Sequence, residues 1–406
     1  MNESMGFQEG IGTSLRDIRI LDLTRNLAGP YCTMILGDMG ADVIKIERLG
    51  YGDDTRNWTP PTWNGESTTF LSANRNKRSM AVDMNVTEGV EIIQMLAHQA
   101  DILVESFKPG SLEKRGLGYE ELKGKNPGLI YCSISGYGNT GPLHHSPGYD
   151  PIMQALTGIM DMTGEPDQEP VRLPIAVIDM GAGLWAVTGI LSGLMNRQAT
   201  GVGCLIETSL FETAAWWMNY HITGYLATGV PPERCGTGTP FIAPYEVFPA
   251  ADEGLLVCVG NDNLFQRFVE ELQIPDLATD ERFATNPMRV KNRVELRTLI
   301  IERFQTRTAA EWEARFSARA IPCSRILTVA DLVHNEQLSE LNLLKPYPHP
   351  LIPDLHLIDL PLSQNKERAA QRHSPPLLGQ QTDQILFELG YTEGKIGELR
   401  KKGVIA

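Results

Sequence analysis

The sequence predicts an α/β protein built on an open, parallel, doubly wound sheet. Two observations carry this: short apolar runs recur through the first half of the chain, and each is followed by a helical pattern or a glycine-bearing turn. The opening reads as a βαβ unit, with a strand over Ile18–Leu23, a turn at Ala28-Gly29-Pro30, a helix over Tyr31–Met39 and a second strand over Val43–Ile46. Thr87 then serves as an N-cap for helical spacing through Val90, Ile93, Leu96, Ala97 and Ala100, which leads into a strand at Ile102–Glu105. Leu129–Ser135 reads as a further strand. Ile175–Ile178 reads as another, delivering Asp179 to the start of an apolar helix that carries Gly181 and Gly183.

After about Tyr225 the text changes to GTGTPFIAPYEVF and LLVCVG, followed by a charged helical region from Asp276 to Arg319. This predicts a smaller mixed lobe over 223–325, after a large domain over 1–222. The remaining segment, 326–406, has proline-rich linkers and a helix near Asp383–Leu389, and periodicity alone does not say where it docks. No repeat of 20–50 residues and no heptad run is present.

Composition narrows the function classes. With 406 residues, 42% hydrophobic and 21% charged, the chain is of globular type and long enough for more than one lobe. Its formal charge of −14 lacks the basic footprint that a nucleic-acid partner requires. The six cysteines are scattered, with no CxxC pair and no histidine at zinc-finger spacing, so neither a disulfide framework nor a metal site is expected. The opening MNESMGFQEG has no basic and apolar leader pattern, so a cytoplasmic location is expected. Met180–Asn196 is uncharged but short and glycine-rich for a membrane span, so a buried helix and no membrane association are expected.

Several motifs resemble chemistry without its context. Gly136 to Gly141 match GxGxxG after a strand, yet Pro142 and the following Leu-His-His-Ser-Pro read as loop, not as the helix that would hold a dinucleotide pyrophosphate. There is neither a GxxxxGK[ST] loop nor a GxSxG elbow. His144 and His145 are adjacent, so a regular element would point them apart and a shared metal is not expected.

Asp179 ends an apolar run just before glycines, which is where open α/β sheets place ligands. Spacing alone leaves it level with a helix-capping role, and Asp22, Asp83 and Asp150 also follow apolar runs. A second feature is local charge reversal. From Ile44 to Arg78 six basic residues (Lys45, Arg48, Arg56, Arg75, Lys77, Arg78) face four acidic ones, a cluster suited to a polyphosphate ligand or to a solvated turn. Trp58 and Trp63 lie among them, to stack on a base or simply to pack.

The segments RILDLTRNLAGPYCTMILGDMGADVIKIE, GDDTRNW, SANRNKRSMAVDM, VESFKPGSLEKRGLGYEEL, ISGYGNTGP, PGYD, LPIAVIDMGAGL and LLGQQTDQILFELG, in this order, resemble the family III CoA-transferases. This superfamily includes formyl-CoA and carnitine CoA-transferases and the 2-methylacyl-CoA racemases. GDDTRNWTPP with GESTTFLSANRNKRS is most similar to its succinyl-CoA:dicarboxylate branch, of glutarate type. The resemblance implies a Rossmann-like large domain completed by the C-terminal segment, a smaller α+β domain between, and two chains interlocked like rings. It implies coenzyme A as a substrate with no permanently bound cofactor.

It also implies a catalytic aspartate at Asp179 and CoA contacts at Leu27, Ala28, Arg48, Val82, Asp83, Met84, Asn85, Ser106, Phe107, Lys108, Lys114, Arg115 and, from Pro147 onward, Tyr149 and Asp150. Leu27, Ser106 and Pro147 stand where the family can carry glutamine, asparagine and lysine. The expected chemistry is CoA transfer from an acyl-CoA, succinyl-CoA in the first instance, to a dicarboxylic acid through an aspartyl anhydride and an aspartyl-CoA thioester. Backbone N–H groups at Gly181, or at Gly236, Thr237 and Gly238, are candidates to stabilise the oxyanions, and Arg56, Arg75 and Arg78 to hold a distal carboxylate. The alternatives are racemization and, more distantly, a nicotinamide-dependent oxidoreductase. The racemases resemble a GHD segment where this chain reads Gly148-Tyr149-Asp150, and a tyrosine of pKa about 10 is a poor base at neutral pH.

Overall fold

The computed structural model describes residues 10–406, so the opening stretch read for a leader lies outside the described residues up to Glu9. One compact unit holds the described residues up to Thr157 together with Pro174–Trp217 and Gln337–Ala406. The other holds Gly158–Leu173 and Met218–Glu336, against the expected boundaries at 222/223 and 325/326.

The first unit is organised by a six-stranded sheet. Its strands are β1 (Arg19–Leu23), β2 (Asp42–Glu47), β3 (Lys77–Ala81), β4 (Ile102–Glu105), β5 (Ile130–Ser135) and β6 (Leu205–Ser209). Every pairing is parallel and the order is 3-2-1-4-5-6, so β1 and β4 flank the point where the winding reverses. The inner strands are buried along almost their whole length, as a sheet covered on both faces requires.

One face is covered by α3 (Thr87–Gln99), whose Ile92, Ile93, Leu96 and Ala97 are buried at helical spacing. Beside it dock α11 (Thr382–Glu388) and α12 (Glu393–Lys401), through Ile385, Leu386, Ile396 and Leu399 in the same core. The C-terminal segment thus closes onto the edge that β3 forms: Val82 bridges Ile405, and Asp83 N donates to Val404 O at 2.9 Å.

The other face carries α1 (Ala28–Asp38), buried at every position except Tyr31, and α5 (Val177–Thr200). Two glycines let α5 approach its neighbours. A Cβ at Gly183 would sit 2.7 Å from Ala28 O on α1, and one at Gly181 would sit 2.8 Å from Trp217 Cζ2 on α6 (Leu210–Trp217). By length and composition α5 could cross a membrane, and 50% of its most apolar window is buried inside the protein.

The expected strand at Ile175–Ile178 is absent. The helix begins at Val177, and Asp179 belongs to its first turn. The predicted cap of α3 also moves by one position: Val86 is the N-cap and Thr87 is already helical. No helix follows the GxGxxG stretch, and the next one, α4 (Asp150–Leu156), starts only at Asp150. All six cysteines are free.

The second unit has its own core. Three antiparallel strands, β7 (Tyr245–Pro249), β8 (Gly254–Cys258) and β9 (Cys323–Arg325), pack with Phe265 and Phe268 of α8 (Asp262–Glu271), Phe304 of α9 (Arg293–Phe304), and Trp312 and Phe316 of α10 (Ala309–Ala318).

Candidate active site

The loops leaving β1, β2, β3 and β4 enclose a cavity of about 430 Å³ at the C-terminal edge of the sheet. The winding reversal places it there, because neighbouring loops turn to opposite faces and leave a crevice. Arg48, Val82, Asp83, Met84, Asn85, Phe107 and Arg115, all expected from the sequence, line it. Two residues that sequence reasoning missed join them, Arg25 and Tyr51. The Arg48 guanidinium lies 4.5 Å from the Tyr51 ring centroid, and that of Arg25 lies 5.1 Å from Phe107. Arg25 and Arg48, each over an aromatic ring, also meet at Asp54, and paired cationic and aromatic groups of this kind suit a flat base attached to phosphates. Their position directly after strands was the available signal.

Other expected residues take different places. Ser106 Oγ accepts from Arg25 N at 3.1 Å, joining the β1 and β4 loops rather than facing the slot. Lys108 lines a separate small cavity with Glu105, whose carboxyl is pushed up to about 7 by burial. Lys114 sits in the 3-10 turn Glu113–Arg115. Tyr149 is exposed. Trp58 is exposed and Trp63 packs against Leu71 and Tyr347, so neither stacks in the slot.

The cationic cluster is corrected by strand register. Lys77 pairs with Asp22 at 3.1 Å, Arg75 with Asp38 at 2.6 Å and Arg78 with Asp42 at 2.7 Å. These acids all lie outside the window that was counted. Lys45 lies against Asp53 and Arg56 against Glu47, within it. Of the six cations only Arg48 stands half-exposed at the mouth of the slot, with Asp54 as its partner.

A second cavity, of about 640 Å³, reaches the turn of α5 that carries Asp179. Leu27, at the N-cap of α1, and Tyr31 form one wall. Ala176 and Met180 form another, and Arg75 and Asp359 a third. Leu27 is thus placed between the two cavities' loops, with Ala28 opening the buried helix behind it.

Asp179 itself is held from behind. Asp150 Oδ2 accepts the N–H groups of Ile178 at 2.7 Å and Asp179 at 3.2 Å, while its Oδ1 accepts Gln154 Nε2 at 2.6 Å. Asp150 therefore caps α5 from α4, satisfying two N–H groups that the helix leaves unpaired. Burial, and then the neighbouring Asp150 charge, push the Asp179 carboxyl up to about 7. A partly desolvated carboxyl of this kind, beside a cavity, marks reactive sites.

The oxyanion assignments change. Gly181 lies inside the helix, where an amide is bonded to the carbonyl four residues back, so its role is the close packing described above. Gly236 N donates to Gly164 O at 3.0 Å and Gly238 N to Cys235 O at 2.8 Å, which spends both amides. At Thr237 it is the hydroxyl that is engaged, accepting from Val247 N at 3.0 Å, so the expectation for its amide stands as it was. Among the described residues no group of three or more His, Cys, Asp or Glu could hold a metal ion.

A slot of about 430 Å³ at the reversal point of a 3-2-1-4-5-6 sheet is where open α/β enzymes bind nucleotide-bearing substrates, and a carboxyl pushed up by burial stands at the start of α5. Residues 15–382 match CoA-transferase family III, and the chain belongs to that family. It is 41% identical over 392 residues to succinyl-CoA:glutarate CoA-transferase of Mus musculus, covering 96% of this chain and 90% of that protein. It is 37% identical over 389 residues to succinate–glutarate CoA-transferase of Agrobacterium fabrum, covering 92% and 95%. The crystal structure of a CAIB/BAIF family protein from Brucella suis superposes with a TM-score of 0.81 at 38% identity, covering 92% of this chain and 98% of that one.

Proposed function

We propose that this enzyme transfers CoA from succinyl-CoA to a dicarboxylic acid of about glutarate size. The observation that carries the reading is the partly desolvated Asp179 carboxyl in the helix-start turn whose Ala176 and Met180 line the larger cavity. The activities for which the Mus musculus and Agrobacterium fabrum relatives are named suggest the donor and acceptor class.

The Asp179 carboxylate attacks the thioester carbonyl, a C–O bond forms, the C–S bond breaks and CoA leaves as thiolate. The mixed anhydride is then attacked at the aspartyl carbonyl by that thiolate, which releases succinate and leaves an aspartyl-CoA thioester. The acceptor carboxylate attacks this thioester and expels the thiolate again. Attack of the thiolate on the acceptor's own carbonyl yields the new acyl-CoA and restores Asp179. One thioester replaces another, so the exchange is near thermoneutral and needs no nucleotide hydrolysis. Withdrawal from water strengthens the nucleophile and protects the anhydride. Incubation with succinyl-CoA and a panel of acids, read by mass spectrometry, tests this: glutaryl-CoA and succinate are expected without ATP, and no exchange with any dicarboxylate would refute it.

Of the three arginines considered for the distal carboxylate, Arg56 is held by Glu47 and the Pro376 carbonyl, and Arg78 by Asp42 and Glu388. Arg75 alone of the three lines the larger cavity; its Nε and Nη2 grip Asp38 and its Nη1 donates to Ile358 O at 2.9 Å, which leaves one N–H on each terminal nitrogen for a carboxylate. Arg75→Lys keeps the charge that Asp38 needs and loses the planar fork. The KM for glutarate is expected to rise about tenfold, the equivalent of one charge-assisted hydrogen bond, with inhibition by free CoA unchanged.

We also propose a homodimer with interlocked chains. In the first unit Leu184, Met195, Phe211, Trp216 and Trp217 are exposed, Met195 by 73% and Trp216 by 57%. In the second unit Tyr220, Tyr225, Leu226 and Phe241 are exposed as well. Apolar surface of this extent is the kind that partner chains cover. Sedimentation velocity should give a particle of twice the chain mass at micromolar concentration; a monomer there would refute the dimer.

A further inference from the structure

We infer that Lys45, buried in the floor beneath the nucleotide slot, is a positioning residue that ties together the two loops forming that slot. The inference rests on the CoA-site reading above and adds how the site is kept formed. Lys45 lies on β2, directly opposite Asp22 of β1, and is 0% exposed. Its ammonium donates to Thr24 O at 3.0 Å in the loop after β1 and lies 2.8 Å from Asp53 Oδ2 in the loop after β2. Thr24, Arg48 and Asp53 all line the slot, as Lys45 itself does. One buried cation thus contacts both loops whose side chains face the ligand.

The surrounding groups extend the tie in both directions. Asp53 Oδ1 accepts Asn26 N at 3.2 Å, so the second loop holds the first a second time. Asn26 has φ +67°, a left-handed turn that needs such a holding contact. Asp53 N donates to Glu47 Oε2 at 2.9 Å, and Glu47 in turn binds Arg56. On the other side Asp22 Oδ1 accepts Thr24 N at 2.9 Å, while Lys77 holds Asp22 Oδ2 and donates to Pro30 O at 2.9 Å in the first turn of α1. The three buried carboxylates Asp22, Glu47 and Asp53 meet the three cations Lys45, Lys77 and Arg56, so these six charges balance, and Glu66 lies 3.9 Å from Arg56 at the edge of the network. A buried network with every member paired is rigid, and a rigid site loses less freedom on binding.

None of these groups has a part in the transfer steps. An all-apolar floor would pack as well, and in other proteins buried ion pairs add little to stability. What this network adds here is a fixed distance between Thr24 and Asp53, and so between the two loops from which Arg25 and Arg48 reach the slot and meet at Asp54.

The test compares wild type, Lys45→Met and Lys45→Met/Asp53→Asn by calorimetric titration with free CoA, thermal melting and steady-state kinetics. The single variant leaves Asp53 buried without its counter-charge and will be less stable. The double variant removes that imbalance and is expected to melt within a few degrees of wild type. Its CoA dissociation constant and KM for succinyl-CoA should nevertheless rise about tenfold or more, with kcat changed less than about threefold and the KM for glutarate unchanged. A double variant that binds CoA within about twofold of wild type would overturn the inference, because the network would then serve stability alone.

Hydrogen exchange on the wild type gives a reading even where both variants fail to fold. The Thr24 and Asn26 amides should be protected in the free enzyme as strongly as in the CoA complex. Protection that appears only with CoA would mean the loops order on binding, and would overturn the inference. A wild type that does not bind CoA at all would count instead against the functional reading beneath it.

Discussion

Replacing Asp179 by asparagine is expected to abolish CoA transfer, to leave CoA binding intact and to raise the melting temperature at pH 8. The first effect follows from the loss of the only nucleophile that the protein supplies in the proposed steps, and comparable removals cost about 10⁴-fold or more in kcat. Asp179→Ala serves as a control against slow deamidation, and hydroxylamine added during turnover should trap wild type alone. Retained turnover in both variants would remove Asp179 from the role. The rise in stability comes from linkage. The carboxyl moves from its ordinary 3.8 to about 7 on folding, so the folded chain binds the proton more tightly than the unfolded chain does. Its contribution to stability is therefore fully present below pH 3.8 and is lost as pH rises through about 7. Above that the wild type holds a charge that folding disfavours by roughly 1–3 kcal/mol, once partial solvent screening is allowed for. Asparagine carries no such charge. Equal melting temperatures at pH 8 would show that Asp179 is not desolvated.

Much of the sheet was legible because parallel strands buried on both faces are written as apolar runs, and the helices between them keep a separate period. The segment Ile175–Ile178 failed for a physical reason: four apolar residues fit either period, and what decides between them is Asp150, twenty-eight residues upstream, which caps the helix at Ile178. The cationic window failed likewise, since three of its six cations are neutralised by acids that neighbouring elements bring in from outside it. Lys45 stands opposite Asp22, and Arg75 meets Asp38 on α1. The resemblance to a family pointed to Asp179 and to seven of the residues that line the slot, while Arg25 and Tyr51 emerged only when the loops after β1 and β2 were seen to share one crevice.

Asp150 bears on the same carboxyl from the opposite side, and two substitutions separate its two roles. Asp150→Asn keeps an oxygen for the Ile178 and Asp179 amides, and asparagine caps helices about as well as aspartate. It removes the charge that, after burial, helps to push Asp179 up to about 7. Because the attacking species is the carboxylate, kcat/KM in the wild type should fall with unit slope as pH drops through about 7. In Asp150→Asn this acid limb should move to lower pH yet stay above 3.8, since burial, the larger cause, remains. Asp150→Ala removes the charge and the cap together. It leaves two helix-start N–H groups without their acceptor, a loss of about 1–2 kcal/mol that falls on the turn holding the nucleophile. An expected drop in kcat of roughly 5–30-fold, with the KM for succinyl-CoA little changed, should accompany the same shift of the acid limb. If both variants keep the wild-type limb, the Asp150 charge does not reach Asp179. If Asp150→Ala alone keeps full kcat at pH 8, the cap does not orient it.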